Sequence, residues 1–444
     1  MALRQPSSTT TDSERVQSTH YPGAPQPGAP STPVETAALP WWKRTFESLK
    51  ERDFRLLWLG MLPSTLAMQM GMVTNGYLAY DITGSAAAVG FVTLGFGVPM
   101  LFLSLIGGVV ADRFSKRQIL MATQSVVGLA AAVLAFLVLT DLIRIWHMTL
   151  VAFMMGTAFA FNMPARQAFV AELVGRERLT NAVALNNTGM NMARVVGPAV
   201  AGALIGIAFI GIGGVYVIMA LMYVAVVYTI SRLPDRGVRP TSGSGRGFDA
   251  LKDGLRYILS NQVLRALMIL AFAPTLLGMS YQALMPVFAE EVFNVGASGL
   301  GFLMTVNGIG ALVGSLGVAT FSNFRKRGML QVGLGIVFGL SLATFAFGQS
   351  LAIAVPSLVV IGATSAAYMA LNMSLVMSYT EPQYHGRVMS INMMTFSLMP
   401  LSVVPTGYLV DIFGAPVVIG ISGLALTAIV AAYGTLHPSY RKVE

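Results

Sequence analysis

Long apolar runs, separated by short connections that hold nearly all of the charge, constrain this chain more than any single residue does. A helix needs about 20 apolar residues to cross hydrocarbon, and lipid tolerates only a backbone that satisfies its own hydrogen bonds. Twelve such runs cover roughly 56–80, 86–111, 118–140, 147–171, 182–209, 212–231, 264–289, 299–321, 329–348, 351–379, 388–411 and 415–436. Only 11% of residues are charged and 55% are hydrophobic, which excludes an ordinary soluble domain. The predicted fold class is an all-α membrane protein, with twelve transmembrane helices in two pseudo-symmetric six-helix bundles. Prolines within the runs (Pro63, Pro99, Pro164, Pro198, Pro274, Pro356, Pro405) are expected as bends.

The expected organisation is a disordered tail with an interfacial start over 1–45, a first bundle over 46–231, a linker over 232–262, a second bundle over 263–436 and a tail over 437–444. The first 40 residues show no apolar core of a secretory signal. Trp41-Trp42-Lys43-Arg44 suits the headgroup layer. Of 28 Lys and Arg, Arg166 and Arg194 fall inside runs and Arg144 in an odd-numbered connection, while nearly all the rest lie in tails and even-numbered connections. That asymmetry predicts a multi-pass protein of the cell membrane with both termini cytoplasmic.

The halves repeat. Gly108-Val-Val-Ala-Asp112-Arg113-Phe-Ser-Lys116-Arg117 joins runs two and three, and Gly317-Val-Ala-Thr-Phe-Ser-Asn-Phe-Arg325-Lys326-Arg327 is its degenerate copy. Phe91 matches Phe302, Glu172 matches Glu381, and Pro198 and Pro405 fall at similar depths. Duplication of this kind marks carriers with a central cavity between halves.

These residues resemble the major facilitator superfamily, whose signature loop looks like Gly108-x-x-x-Asp112-Arg113-x-x-Lys116-Arg117, here with Ser115 where Gly is usual. Asp53-Phe-Arg-Leu-Leu-Trp-Leu-Gly60, Tyr80-Asp-Ile-Thr-Gly-Ser85, Pro164-Ala-Arg166-Gln and Arg194-Val-Val-Gly197-Pro198 narrow the resemblance to its enterobactin-exporter-like branch, the transmembrane secretion effectors. The resemblance implies alternating access and export of a small organic molecule, drug-like or siderophore-like, with protons as the coupling ion and a monomer as the working unit. It also implies gating by Gly108, Asp112, Arg113, Lys116 and Arg117. Asp112 is expected to meet the positive first turn of the eleventh helix near Arg387, or a cation such as Arg113 or Arg178. Gly189, Gly197, Pro198 and Gly202 resemble an exporter signature and predict close helix packing.

Substrate contacts are expected from polar residues inside runs. Asn187, Asn191 and Arg194 share a helix face at i, i+4 and i+7, and Asn162 and Arg166 are i, i+4. Gln69, Asn75, Tyr281, Gln282, Tyr368, Asn372 and Asn392 are further candidates, each weighed against a purely interhelical hydrogen bond. Methionines, dense in runs one and eleven, offer an adaptable surface or plain packing. All 19 carboxylates lie in tails, connections or near run ends, so no mid-depth proton carrier stands out; Asp81, Asp112, Glu290 and Glu291 are nearest. No cysteine is present, and no Gly-rich loop ending in Gly-Lys-Ser/Thr. No cofactor, metal, enzymatic constellation or nucleic-acid partner is expected; the net charge of +9 sits in topology-setting connections. An importer or lipid flippase on the same fold, and a non-transporting receptor or assembly factor, are the alternatives.

Overall fold

The computed structural model of the protein describes residues 47–235, 247–320 and 326–436, all within one compact unit, Thr45–Glu444. The expected N-terminal tail with Trp41–Arg44, most of the 232–246 linker stretch, the heart of the second basic loop and the C-terminal tail lie outside the described residues.

Fourteen helices are described, and no strand is seen among the described residues. They are α1 (Arg52–Thr83), α2 (Ala86–Arg113), α3 (Lys116–Leu139), α4 (Ile145–Gly175), α5 (176–205), α6 (Gly211–Ser231) and α7 (Gly247–Ser260). Then follow α8 (262–292), α9 (Gly296–Thr320), α10 (Arg327–Phe347), α11 (Leu351–Ser378), α12 (His385–Ser397), α13 (Met399–Phe413) and α14 (Ala415–Leu436). Ten of them contain a stretch long and apolar enough to cross a membrane.

Two expected runs differ in detail. The run at 182–209 falls in α5, which continues α4 almost without interruption; only Gly175, with φ 69° and ψ 179°, leaves the helical region. A side chain there would be strained, so glycine is the residue that permits the kink. The run at 388–411 is divided at Leu398 into α12 and α13. Pro400 has no N–H to continue the ladder, which accounts for the break.

Helix α8 is irregular for a related reason. Pro274 cannot donate to the carbonyl of Leu270, and the backbone widens into a π turn in which Met279 N–H reaches Pro274 O at 2.9 Å. The orphaned Leu270 carbonyl accepts the Tyr368 hydroxyl at 2.7 Å, and Asn372 donates to Leu267 O at 3.1 Å. In hydrocarbon such a carbonyl needs a protein partner.

Two glycine-lined crossings repeat each other. Ala86, Gly90 and Gly97 of α2 lie against Gly407, Val404 and Pro400 of α13. Ala297, Gly301 and Gly308 of α9 lie against Gly202, Pro198 and Val195 of α5. Gly301 against Gly90, and Gly308 against Gly97, reproduce the 211-residue offset between Phe91 and Phe302. Small residues let backbones meet where no hydrophobic drive separates helix from lipid.

Candidate substrate cavity

A cavity of about 150 Å³ opens between α1, α2, α4, α8, α9 and α13. Its wall is largely methionine (Met68, Met72, Met155, Met304, Met399), and Asn75 and Gln282 supply polar atoms. The Asn75 side-chain oxygen accepts the buried Tyr216 hydroxyl at 2.5 Å, which fixes its orientation. Unbranched thioethers adapt to ligands of varied shape.

A smaller pocket of about 60 Å³ shares Met68, Phe96 and Met155 with this cavity and contains Thr65, Asn162 and Arg166. Arg166 is half-buried; it donates to Asn186 Oδ1 at 2.6 Å and to Thr65 Oγ1 at 3.5 Å. Both partners are neutral, and no carboxylate pairs with it among the described residues. Asn162 donates to Thr123 Oγ1 at 2.8 Å. The predicted Asn162–Arg166 pair is thus brought together on one pocket wall.

Asn191 and Arg194 border a recess with Gly308 and Ser315 of α9. Arg194 is exposed, without an ion pair among the described residues. The Tyr281 hydroxyl accepts from Asn307 at 2.8 Å and from Gln282 at 3.4 Å. Asn187, the third member of that stripe, is exposed and borders none of these pockets. Gln69 packs its Cβ over Gly197. Tyr368 and Asn372 serve the α8 backbone, and Asn372 also faces Asn392 across a separate pocket of about 180 Å³ with Thr275 and Thr395. Thr65, Asn186 and Asn307 were not among the sequence candidates. A lone asparagine in the apolar run at 299–321 was the signal for Asn307.

Of the packing glycines, Gly189 meets Leu62 and Trp58, Gly197 meets α1, and Gly202 with the Pro198 carbonyl meets Gly301.

The two ends of the helical assembly differ. At the end bearing the α2–α3 turn, Asp112 and Arg113 are exposed, and Asp112 has no hydrogen bond or ion pair among the described residues. Gly108 faces open space; its neighbour Gly107 makes the close contact, to the Ala160 backbone. Ser115 caps α3 and donates to Asp235 at 2.7 Å. Buried Lys116 pairs with Glu172 at 3.0 Å, and Arg117 donates to the terminal α6 carbonyls of Ile230 (3.3 Å) and Ser231 (2.6 Å). Arg178 pairs with Glu51, and Arg387 lies 3.9 Å from Asp253 and over the Tyr384 ring.

At the opposite end, elements from the two halves of the sequence are tied. Tyr80 of α1 donates to Glu291 of α8, and Tyr77 lies beside Glu290. Asp411 of α13 accepts from Ser85 Oγ (2.6 Å), Ala86 N–H (2.6 Å) and Ala87 N–H (3.1 Å) at the start of α2. A carboxylate on a helix N-terminus satisfies orphan donors and the positive dipole end.

Residues 43–439 match the model of a family described as transmembrane secretion effector. Macrolide efflux protein A of Streptococcus pyogenes is 24% identical over 81% of this chain and 90% of its own length. The staphyloferrin A transporter of Staphylococcus aureus is 24% identical over 82% and 91%. A solved bacterial homologue of the lysosomal transporter Spinster, inward-facing and unoccupied, superposes with a TM-score of 0.67 at 14% identity, covering 88% of this chain and 97% of that one; it shows a shared fold. With a helical scaffold built for a bilayer and a cavity between its helices, this chain is a multi-pass membrane transporter of the major facilitator type, and it belongs to the transmembrane secretion effector family.

Proposed function

We propose that the chain is a secondary exporter of small organic molecules, drug-like or siderophore-like, driven by proton antiport. It works by alternating access between α1–α6 and α8–α14, two six-span bundles joined through α7. The observation that carries the reading is the one-sided closure: Tyr80–Glu291, Asp411 on α2 and Gly202 on Gly301 tie one end, while Asp112 at the other end has no partner among the described residues. By the distribution of cations the unengaged end is cytoplasmic, so this is the inward-open state with both termini inside. Substrate enters from the cytosol or the inner leaflet into the methionine-walled cavity.

Rocking breaks the outer ties and brings the first turn of α12, near Arg387, to Asp112. Gly108, open on its outer side, leaves room for that approach. Arg113 joins the closed-state contacts, while Lys116, Arg117 and Arg178 hold the turn's own half rigid through Glu172, the end of α6 and Glu51. Asp81, Glu290 and Glu291, at the outer ties, are the proton carriers in this scheme; a protonated Glu291 no longer holds Tyr80 as a carboxylate acceptor.

Proteoliposomes with an imposed pH gradient test the reading. Labelled drug-like compounds should leave the compartment facing the basic end only while the gradient lasts. Flux in the reverse sense, or flux indifferent to the gradient, would sink export or coupling respectively.

A further inference from the structure

The geometry points to an organic anion as the transported class, an apolar body bearing a carboxylate or similarly acidic group held by Arg166. This rests on the export reading and narrows it.

Arg166 offers five N–H donors, and among the described residues two have protein acceptors, both neutral. A guanidinium inside a membrane protein is costly and is ordinarily paired. Among the described residues no acid pairs with it. No described Asp or Glu borders the methionine-walled cavity, the Arg166 pocket or the Arg194 recess. The carboxylates stand at the two ends instead, in Glu172 and Asp112 on one side and Asp81, Glu290, Glu291 and Asp411 on the other. The other polar lining side chains, Thr65, Asn75, Asn162 and Gln282 among them, are uncharged.

Arg194, exposed and without an ion pair among the described residues, borders a separate recess with Asn191 and Ser315. A cationic ligand would meet the like charge of Arg166 and no counter-charge among the described lining residues in a medium of low dielectric. An anion completes the hydrogen bonding of Arg166 and offsets its desolvation. The shared wall of Met68, Phe96 and Met155 places apolar surface beside that charge, which suits an amphiphilic ligand.

Fluorescence anisotropy of two xanthene dyes on the purified full-length chain tests this. Carboxyfluorescein is anionic and rhodamine 123 is a cation of similar frame. The anion should bind at least about tenfold tighter, the scale of one charge-assisted contact. Arg166→Gln should lower its affinity about tenfold, with Arg166→Lys intermediate. Equal or tighter binding of the cation, no binding of the anion, or Arg166→Gln binding the anion as the parent does would each overturn the assignment. Binding needs no gradient, so its failure is separable from failure of export, which shows as intact binding without flux.

Discussion

The carboxylate of Asp411, on the last turn of α13, accepts the backbone N–H of Ala86, the first residue of α2, at 2.6 Å. Removing a helix-end acceptor costs about 0.5–2 kcal/mol, and here the cost falls only on the state closed at that end. Asp411→Ala should therefore raise the outward-open population by about two- to thirtyfold. The check is labelling of Met72→Cys, on the cavity wall, by an impermeant maleimide from the outer side; the chain's lack of native cysteine makes the label unambiguous.

Bulk at the α5–α9 crossing should act more strongly. A Cβ at Gly202 would stand 2.6 Å from Gly301 Cα and 2.8 Å from Ala297 O, both backbone atoms that cannot turn aside. Gly202→Val should reduce efflux more than tenfold at normal membrane abundance, whereas Gly333→Ala, with nothing within 4 Å, should leave it unchanged. Efflux of a labelled compound from everted vesicles, normalised to protein, distinguishes the two.

Asp112 has no hydrogen bond or ion pair among the described residues in this conformation, so its role is expected in the other one. Asp112→Asn should slow transport about tenfold while leaving equilibrium binding of the same compound unaltered. Parallel loss of both would instead mark it as a ligand-site or folding residue.

Lys116 and Glu172 form a pair at 3.0 Å with side chains only 6% and 20% exposed. Truncating one partner of such a pair costs roughly 3–5 kcal/mol because the other charge stays behind. Lys116→Ala should lower the melting temperature in detergent sharply. Arg117→Ala, which removes only donors to helix-end carbonyls, should lower it much less.

Tyr368→Phe should cost about 1–3 kcal/mol of stability, since it strips the Leu270 carbonyl of the hydroxyl that replaces Pro274's missing N–H. Dye affinity in the central cavity should not change, which thermal shift and anisotropy on one preparation would establish.

Most of the helical scaffold was legible in the sequence, because hydropathy is a local property and each span shows its own length. The division of α12 from α13 was not, since Pro400 sits in an apolar stretch and proline inside a membrane helix more often bends than breaks it. Helical spacing is why Asn162 shares a pocket with Arg166, and Asn191 with Arg194. Asn186, next to the expected Asn187 and about 100° round the helix, is the one that reaches Arg166. Gly108 and Gly107 show the same one-residue ambiguity: the motif names the first, and the backbone contact falls on the second. The ties at Glu291 and Asp411 read only as charges near span ends. Which ends meet depends on how distant helices pack and on which state the transporter occupies, and neither is written in any local window.

Arg166, with no acidic partner among the described residues, gives the empty pathway a fixed positive charge that travels with it through the membrane's voltage drop. A full charge crossing the whole drop is worth about 2.3 kcal/mol per 100 mV. In a cell whose interior is negative, that field pulls the unloaded transporter toward its inward-facing posture and relaxes its grip once a bound anion cancels the charge. Polarisation of the membrane would then reset the machine as well as power it.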